Sequence, residues 1–159
     1  KQMILNLLGK LCDAVACGDT SGYKGYCLDL ASATHNLPGA TPLWIVLETG
    51  VAADYGNSDE TYQFHVSGGT GTDGTDINAG EKIFDETPAI AGNDARLATA
   101  GAYIIRRTLD IGYRALRYLQ LKYTQAGTSN AITVDLNLSI WPPRTDYNIQ
   151  VTDSGVGLP

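Results

Sequence analysis

The chain of 159 residues is poor in charge, in histidine and in long apolar runs. Charged residues make up 18 % of it, below the ~25 % usual for soluble proteins, which excludes a disordered polyelectrolyte. No apolar run reaches the ~18–20 residues that span a bilayer as a helix, so no membrane partner is expected. There is no basic tail either. Eleven Lys and Arg face 17 Asp and Glu, a net charge of −6, which argues against wrapping nucleic-acid phosphates.

Catalytic signatures are scarce as well. The two histidines are His35, just before a Pro-Gly turn, and His65, within a strand-like segment. No Gly-x-Ser-x-Gly elbow and no His-Glu-x-x-His pair occurs, so neither an exposed nucleophile nor a helical zinc pair is encoded. Aspartates are plentiful but fall in loops, where they serve turns. Two carboxylates brought together by folding are the catalytic arrangement left open. The expectation is a protein without enzymatic activity. Cys12, Cys17 and Cys27 are an odd number, which rules out a complete internal disulfide framework. A zinc set of these three with His35 lacks the paired Cys-x2-Cys spacing of compact sites, so small buried hydrophobes are expected, with no metal and no cofactor. The opening Lys1-Gln2-Met3 segment lacks the long apolar stretch of a secretory signal, and reduced thiols in a cytosolic setting are expected.

What the chain does contain is a series of short strand patterns. Ile132, Val134, Leu136, Leu138 and Ile140 alternate with Thr133, Asp135, Asn137 and Ser139, the signature of a strand with one buried and one wet face. Leu119, Leu121 and Tyr123 alternate with Tyr118, Gln120 and Lys122, and the turn-rich 125–130 stretch makes 116–140 a hairpin candidate. Tyr62, Phe64 and Val66 mark another strand. Leu43 to Leu47 is apolar on both faces, as in a central strand covered on both sides, and Trp44 is read there as core. Segments 3–8, 24–31, 81–86 and 103–109 are weaker candidates. About eight short strands between Gly-, Asp-, Asn- and Pro-containing loops predict an all-β antiparallel sandwich. One short helical turn near 94–99 is allowed. Residues 1–140 form the sandwich on this reading, and 141–159 form an extended C-terminal arm.

Charge is unevenly placed. Residues 1–95 carry 4 basic and 13 acidic groups, whereas 96–122 carry Arg96, Arg106, Arg107, Arg114, Arg117 and Lys122 against Asp110 alone. This bipolarity suits contact between copies or with a larger assembly, with a solvated strand face paired across the sheet as the plainer reading. Gly69-Thr70-Gly71-Thr72-Asp73-Gly74 matches the dinucleotide fingerprint, but Thr75-Asp76-Ile77-Asn78 does not open the helix such a site needs. A single copy of this stretch cannot build a calcium-binding β-roll, so a flexible glycine-rich loop is expected. After the last strand, Trp141, Pro142, Pro143 and Arg144 force an extended exit, and Tyr147, Ile149 and Val151 give the arm an apolar side that needs cover.

The Met3-Ile4-Leu5 opening, the Leu28-Asp29-Leu30 strand, the apolar 43–47 strand and the Arg117-Tyr118-Leu119-Gln120-Leu121-Lys122-Tyr123-Thr124 block lead through Gly127 to the alternating 132–140 strand. Over roughly residues 3–140 this pattern resembles the small jelly-roll cement (decoration) proteins of tailed-bacteriophage heads. The acidic loops at 52–60 and 68–80 and the tail 141–159 fall outside the likeness. The resemblance implies a jelly roll of about eight strands and a structural role. Such a protein is made in the host cytoplasm, binds the outer capsid surface of the virion as a dimer or trimer, and bridges neighbouring major capsid protein subunits. Arg96, Arg106, Arg107, Arg114 and Arg117, with the arm residues Trp141, Pro142, Pro143, Arg144, Tyr147, Ile149 and Val151, are then the expected interface. The alternative is a carbohydrate- or receptor-binding β-sandwich module of a phage tail or fibre, with tyrosines and tryptophans as stacking platforms.

Overall fold

The computed structural model describes residues 7–30, 43–53, 59–109 and 116–139. Within them lie eleven strands and no helix: β1 (Leu7–Cys17), β2 (Gly22–Asp29), β3 (Leu43–Val51), β4 (Thr61–Gly69), β5 (Gly71–Thr72), β6 (Ile77–Ala79), β7 (Lys82–Glu86), β8 (Ile90–Ala91), β9 (Tyr103–Leu109), β10 (Tyr118–Ala126) and β11 (Ile132–Ser139). The expected arm, the expected strand residues 3–6 and Ile140, and His35 and Arg114 lie outside the described residues. The strands form a four-stranded sheet in the order β1-β11-β3-β9 and a five-stranded sheet β2-β10-β4-β7, with β8 also paired to β4. All pairings are antiparallel, and β5 and β6 make a separate two-stranded ribbon. The protein is an all-β antiparallel sandwich. Each sheet interleaves strands from both halves of the chain, the connectivity that a jelly roll requires.

Alternation explains which side of each strand is buried. Ile132, Val134, Leu136 and Leu138 of β11 are buried, while Thr133, Asp135 and Asn137 are partly exposed. Leu43, Ile45 and Leu47 of β3, Tyr62, Phe64 and Val66 of β4, and Leu119, Leu121 and Tyr123 of β10 join them in one core cluster. The Tyr123 ring stands 5.6 Å from Phe64 and 6.3 Å from Tyr62, both tilted, so aromatic faces fill one end of the core. The central position of β3 agrees with its sequence. Trp44, however, is half-buried and projects from the face opposite Leu43 and Ile45, so its expected core placement is corrected.

The expected hairpin at 116–140 is also corrected. β10 pairs with β2 and β4, whereas β11 pairs with β1 and β3, so residues 127–131 cross from one sheet to the other. Period-two alternation says which side of a strand is wet and is silent about its neighbour. Gly127, at φ 96°, makes the crossing possible, since a Cβ there would lie 2.7 Å from Asp59 O and 2.8 Å from Glu60 Cα. Residues 94–99 form turns, with Leu97 N donating to Asp94 O at 2.9 Å and Ala98 N to Ala95 O at 3.3 Å. Leu97 is fully buried and its carbonyl accepts from Ala53 N at 2.9 Å, which docks this segment on the end of β3.

The predicted glycine-rich loop is an ordered ribbon. Asp73 Oδ1 accepts from Thr75 N, Thr75 Oγ1 and Asp76 N, each at 2.9 Å, closing the turn between β5 and β6. The ribbon is pinned to the five-stranded sheet by Gln120, whose side chain is fully buried. Gln120 Oε1 accepts from Ile77 N at 3.1 Å, and Nε2 donates to Asp76 Oδ1 at 2.8 Å, Thr75 O at 3.3 Å and Gly25 O at 3.4 Å. That last bond reaches a wide bulge in β2. Leu119 pairs with Leu28 and Leu121 with Lys24, so Gly25, Tyr26 and Cys27 together face Gln120. Gly25, at φ 71°, is required there, since any Cβ would overlap Leu11 O and Cys12 Sγ.

Replacing Gln120 with Leu keeps the volume and leaves the Ile77 N–H without its acceptor. Urea denaturation should register a loss of about 2–4 kcal/mol. A loss under ~0.5 kcal/mol would show that the ribbon is held by something other than Gln120.

Candidate interaction surface

The described arginines expected at an interface are spread over the molecule, and Arg107 and Arg117 meet carboxylates from elsewhere in the chain. Arg96 sits in the 94–99 turn, where Nε bonds Asp94 Oδ1 at 2.9 Å and a terminal nitrogen bonds Oδ2 at 2.8 Å. Arg117, at the entry to β10, holds Asp29 in the same two-point manner, at 3.0 and 2.8 Å. Arg107 Nε of β9 approaches Asp85 Oδ2 of β7 to 2.6 Å, without the alignment of a hydrogen bond, and so links the outer strands of the two sheets. Arg106 lies over the Tyr103 ring, 5.0 Å from its centre. A single cationic strand face does not form. Among the described residues, Arg96 lies in a turn, Arg106 and Arg107 on the four-stranded sheet, and Arg117 and Lys122 at the five-stranded one. Arg114 and the residues from Trp141 to Val151 lie outside the described residues.

The outer face of the five-stranded sheet carries a polar row that sequence inspection missed. Lys122 Nζ of β10 donates to both Glu81 oxygens at 3.0 Å, Ser67 Oγ donates to Glu81 Oε1 at 3.0 Å, and Tyr23 also bonds this carboxylate. Desolvation pushes the Glu81 carboxyl up, but the bonds from Lys122, Tyr23 and Ser67 outweigh it and hold the group below its ordinary value. Burial, followed by the Glu81 bond, pushes the Tyr23 phenol up. The partners come from four separate stretches of chain, so no local motif announces them.

Further along this face, His65 is only 8 % exposed and stands between a hydroxyl and a carboxylate. Its Nε2 is 3.5 Å from Thr124 Oγ1, and its Nδ1 is 3.2 Å from Glu86 Oε2 without hydrogen-bond alignment. The separation of His65 from Thr124 is longer than the ~2.6–3.2 Å to which a nucleophile and its base normally approach. Among the described residues, no group of three or more His, Cys, Asp or Glu is placed to hold a metal ion. No helix among them is long and apolar enough to cross a membrane.

The large apolar side chains that reach solvent lie mainly on the rims. Tyr26 is 73 % exposed on the bulge of β2, Ile83 49 % on β7 and Tyr103 36 % on β9, each an outer strand of its sheet. Val51, 61 % exposed, ends β3. Only Tyr26 had a sequence cue, the glycine beside it. Cys12 and Cys17 are buried and Cys27 half-buried, all as free thiols. Burial, with Cys17 and Asp135 adding to it, pushes the Cys12 thiol up to about 12, and burial pushes Cys17 up to about 11.

Two outcomes follow from these environments. An aromatic disulfide reagent should modify Cys27 slowly in the native protein and reach Cys12 and Cys17 only in denaturant; rapid native labelling of all three thiols would contradict their burial. Arg96, by its side-chain and then its backbone hydrogen bond, draws the Asp94 carboxyl down to about 2. Because the folded value is depressed, the linked stability is present above the ordinary carboxylate range and is lost as pH falls from ~4 to about 2. Arg96→Ala removes the side-chain bonds and keeps the backbone one, so the Asp94 titration, followed by carboxyl NMR, should rise from about 2 toward its ordinary value without reaching it, with a stability loss of at most ~1 kcal/mol at neutral pH. An unmoved titration would show that Arg96 does not set it.

No protein-family model matches the chain, and no curated protein matches it.

Proposed function

We propose that this protein is a non-enzymatic jelly-roll cement protein of a bacteriophage head. On this reading it binds the outer capsid surface as a dimer or trimer and bridges neighbouring major capsid protein subunits. The observation that carries the reading is the strand order, β1-β11-β3-β9 against β2-β10-β4-β7. It agrees with the fold of the family that the sequence resembles. Because a fold alone does not imply a function, the rims supply the second support. Tyr26, Ile83 and Tyr103 present apolar surface from outer strands, which suits contact with broad protein surfaces. A subunit that binds only the assembled shell stabilises it by mass action, and an oligomer attached at several points gains by effective concentration. Arg96, Arg107 and Arg117 would act in such contacts as ion pairs already formed within the subunit. The arm 141–159 is the other proposed contact.

The carbohydrate-binding alternative has one observation in its favour, the exposed Tyr26 ring. Cryo-imaging of heads with and without the protein separates the two. Continuous density bridging capsomers at stoichiometric occupancy is expected, and deletion of 141–159 should weaken attachment more than folding. Full occupancy by the truncated chain would overturn the role of the arm. Bare capsids at saturating protein, together with glycan binding abolished by Tyr26→Ala, would overturn the cement reading.

A further inference from the structure

One end of the sandwich gathers oxygens that have no hydrogen-bond partner. Glu60 is fully buried just before β4. Ala131 N donates to Tyr62 Oη at 3.2 Å, and Tyr62 Oη donates to Glu60 Oε2 at 2.6 Å. The direction of this chain makes Oε2 an acceptor, and Oε1 has no partner. Asn130, also buried, spends its Nδ2 on Ala126 O at 3.3 Å and Thr61 O at 3.4 Å, which leaves Oδ1 without one. Gln125 donates Nε2 to Asp19 O at 2.7 Å and leaves Oε1 unpaired, while the buried Tyr123 hydroxyl lies against the Asn130 side chain.

The register brings these groups together. Gln125 stands opposite Tyr62 and Tyr123 opposite Phe64, so Tyr62, Gln125 and Tyr123 share the inner face. The 127–131 crossover carries Asn130 over that end, and Asn130 N donates to Asp19 Oδ1 at 2.6 Å from the link between β1 and β2. The unpaired atoms here are all oxygens, and one belongs to a carboxylate. No ion pair of the described residues involves Glu60. Buried charge without a counter-charge is costly, and an unpaired buried group calls for an ion or a water.

We propose that this end of the sandwich binds a monovalent, oxygen-seeking cation of the sodium or potassium class, with Glu60 Oε1 as its anionic ligand and Asn130 Oδ1 and Gln125 Oε1 as neutral ones. One buried carboxylate balances one positive charge. Oxygen sites for divalent ions usually collect several carboxylates, and no such group is present among the described residues. The ion would fasten three connections at once: the β1–β2 link at Asp19, the entry to β4 at Glu60 and the crossover at Asn130.

The test compares melting of the full chain in sodium, potassium or N-methylglucamine chloride at equal ionic strength. Sodium or potassium at about ten times its dissociation constant should raise the midpoint by about 3–6 °C over N-methylglucamine. Glu60→Gln, isosteric and uncharged, should abolish the difference. Crystals soaked in rubidium should show an anomalous peak at Glu60 in the unmutated protein, which decides the matter if the variant does not fold. Equal midpoints in all three salts with no rubidium peak would overturn the proposal in favour of bridging water. A cation effect retained in Glu60→Gln would place the site elsewhere, and a midpoint raised by calcium added to the N-methylglucamine sample but not by sodium or potassium would overturn the monovalent assignment.

Discussion

The structure depends on two consecutive strands facing each other across the core. β10 and β11 are joined by a short link, yet they belong to opposite sheets, so Leu119, Leu121 and Tyr123 and, from the other side, Val134, Leu136 and Leu138 bury their faces in one cluster. Each such side chain contributes roughly 1.5–3 kcal/mol on leaving water. These are the two most regular amphipathic strands of the chain, and neither could bury its apolar face by pairing edge to edge with the other. Their opposition dictates the remaining order. β2 and β4 must flank β10 while β1 and β3 flank β11, and the chain therefore alternates between sheets at each early connection. Gly127 matters for the same reason, because the crossing runs against the backbone of Asp59 and Glu60.

Charge and polarity are arranged around that core without holding it together. Lys122, Arg117 and Arg107 each take a carboxylate from a remote part of the chain, and the net −6 is what remains after this internal matching. Exposed pairs of this kind contribute about 0–1 kcal/mol apiece. They set register and limit which surfaces stay charged. Gln120 is of another kind. Its fully buried amide meets donors and acceptors from the β2 bulge and the β5–β6 ribbon, where an unmet group carries a full desolvation cost. One side chain thereby fixes two irregular pieces that backbone ladders leave free.

Regular strands were legible in the sequence and irregular ones were not. The bounds of β4, β7, β9, β10 and β11 lie close to their alternating or apolar runs because period two is a direct consequence of pleating. β1 runs to Cys17, far past its expected limit, since bulges near Cys12 and a positive φ at Ala14 break the alternation that would have marked it. The β5–β6 ribbon looked like a flexible loop because its order rests on Asp73 and Gln120, 47 positions apart by their own numbers. Trp44 departs from expectation because an apolar residue on each face of a strand does not require burial on both. The arginines cluster in sequence, but a turn, a strand of one sheet and the entry to a strand of the other carry the described ones apart.

Among the described residues, the interior of the sandwich is filled by Tyr62, Phe64, Tyr123 and aliphatic side chains. What remains for recognition is periphery: outer strands, the bulge that lifts Tyr26, and the ends where loops cross. Unpaired outer strands ordinarily invite unwanted pairing, and here Arg107 bound to Asp85 and the irregular β2 blunt them. The same devices give a partner fixed features to meet, since a bulge pinned by Gln120 presents Tyr26 from a preset backbone. Recognition by preset surface costs little ordering on binding. This is the physical economy that the proposed role on a repeating shell would use, where many identical shallow contacts act together.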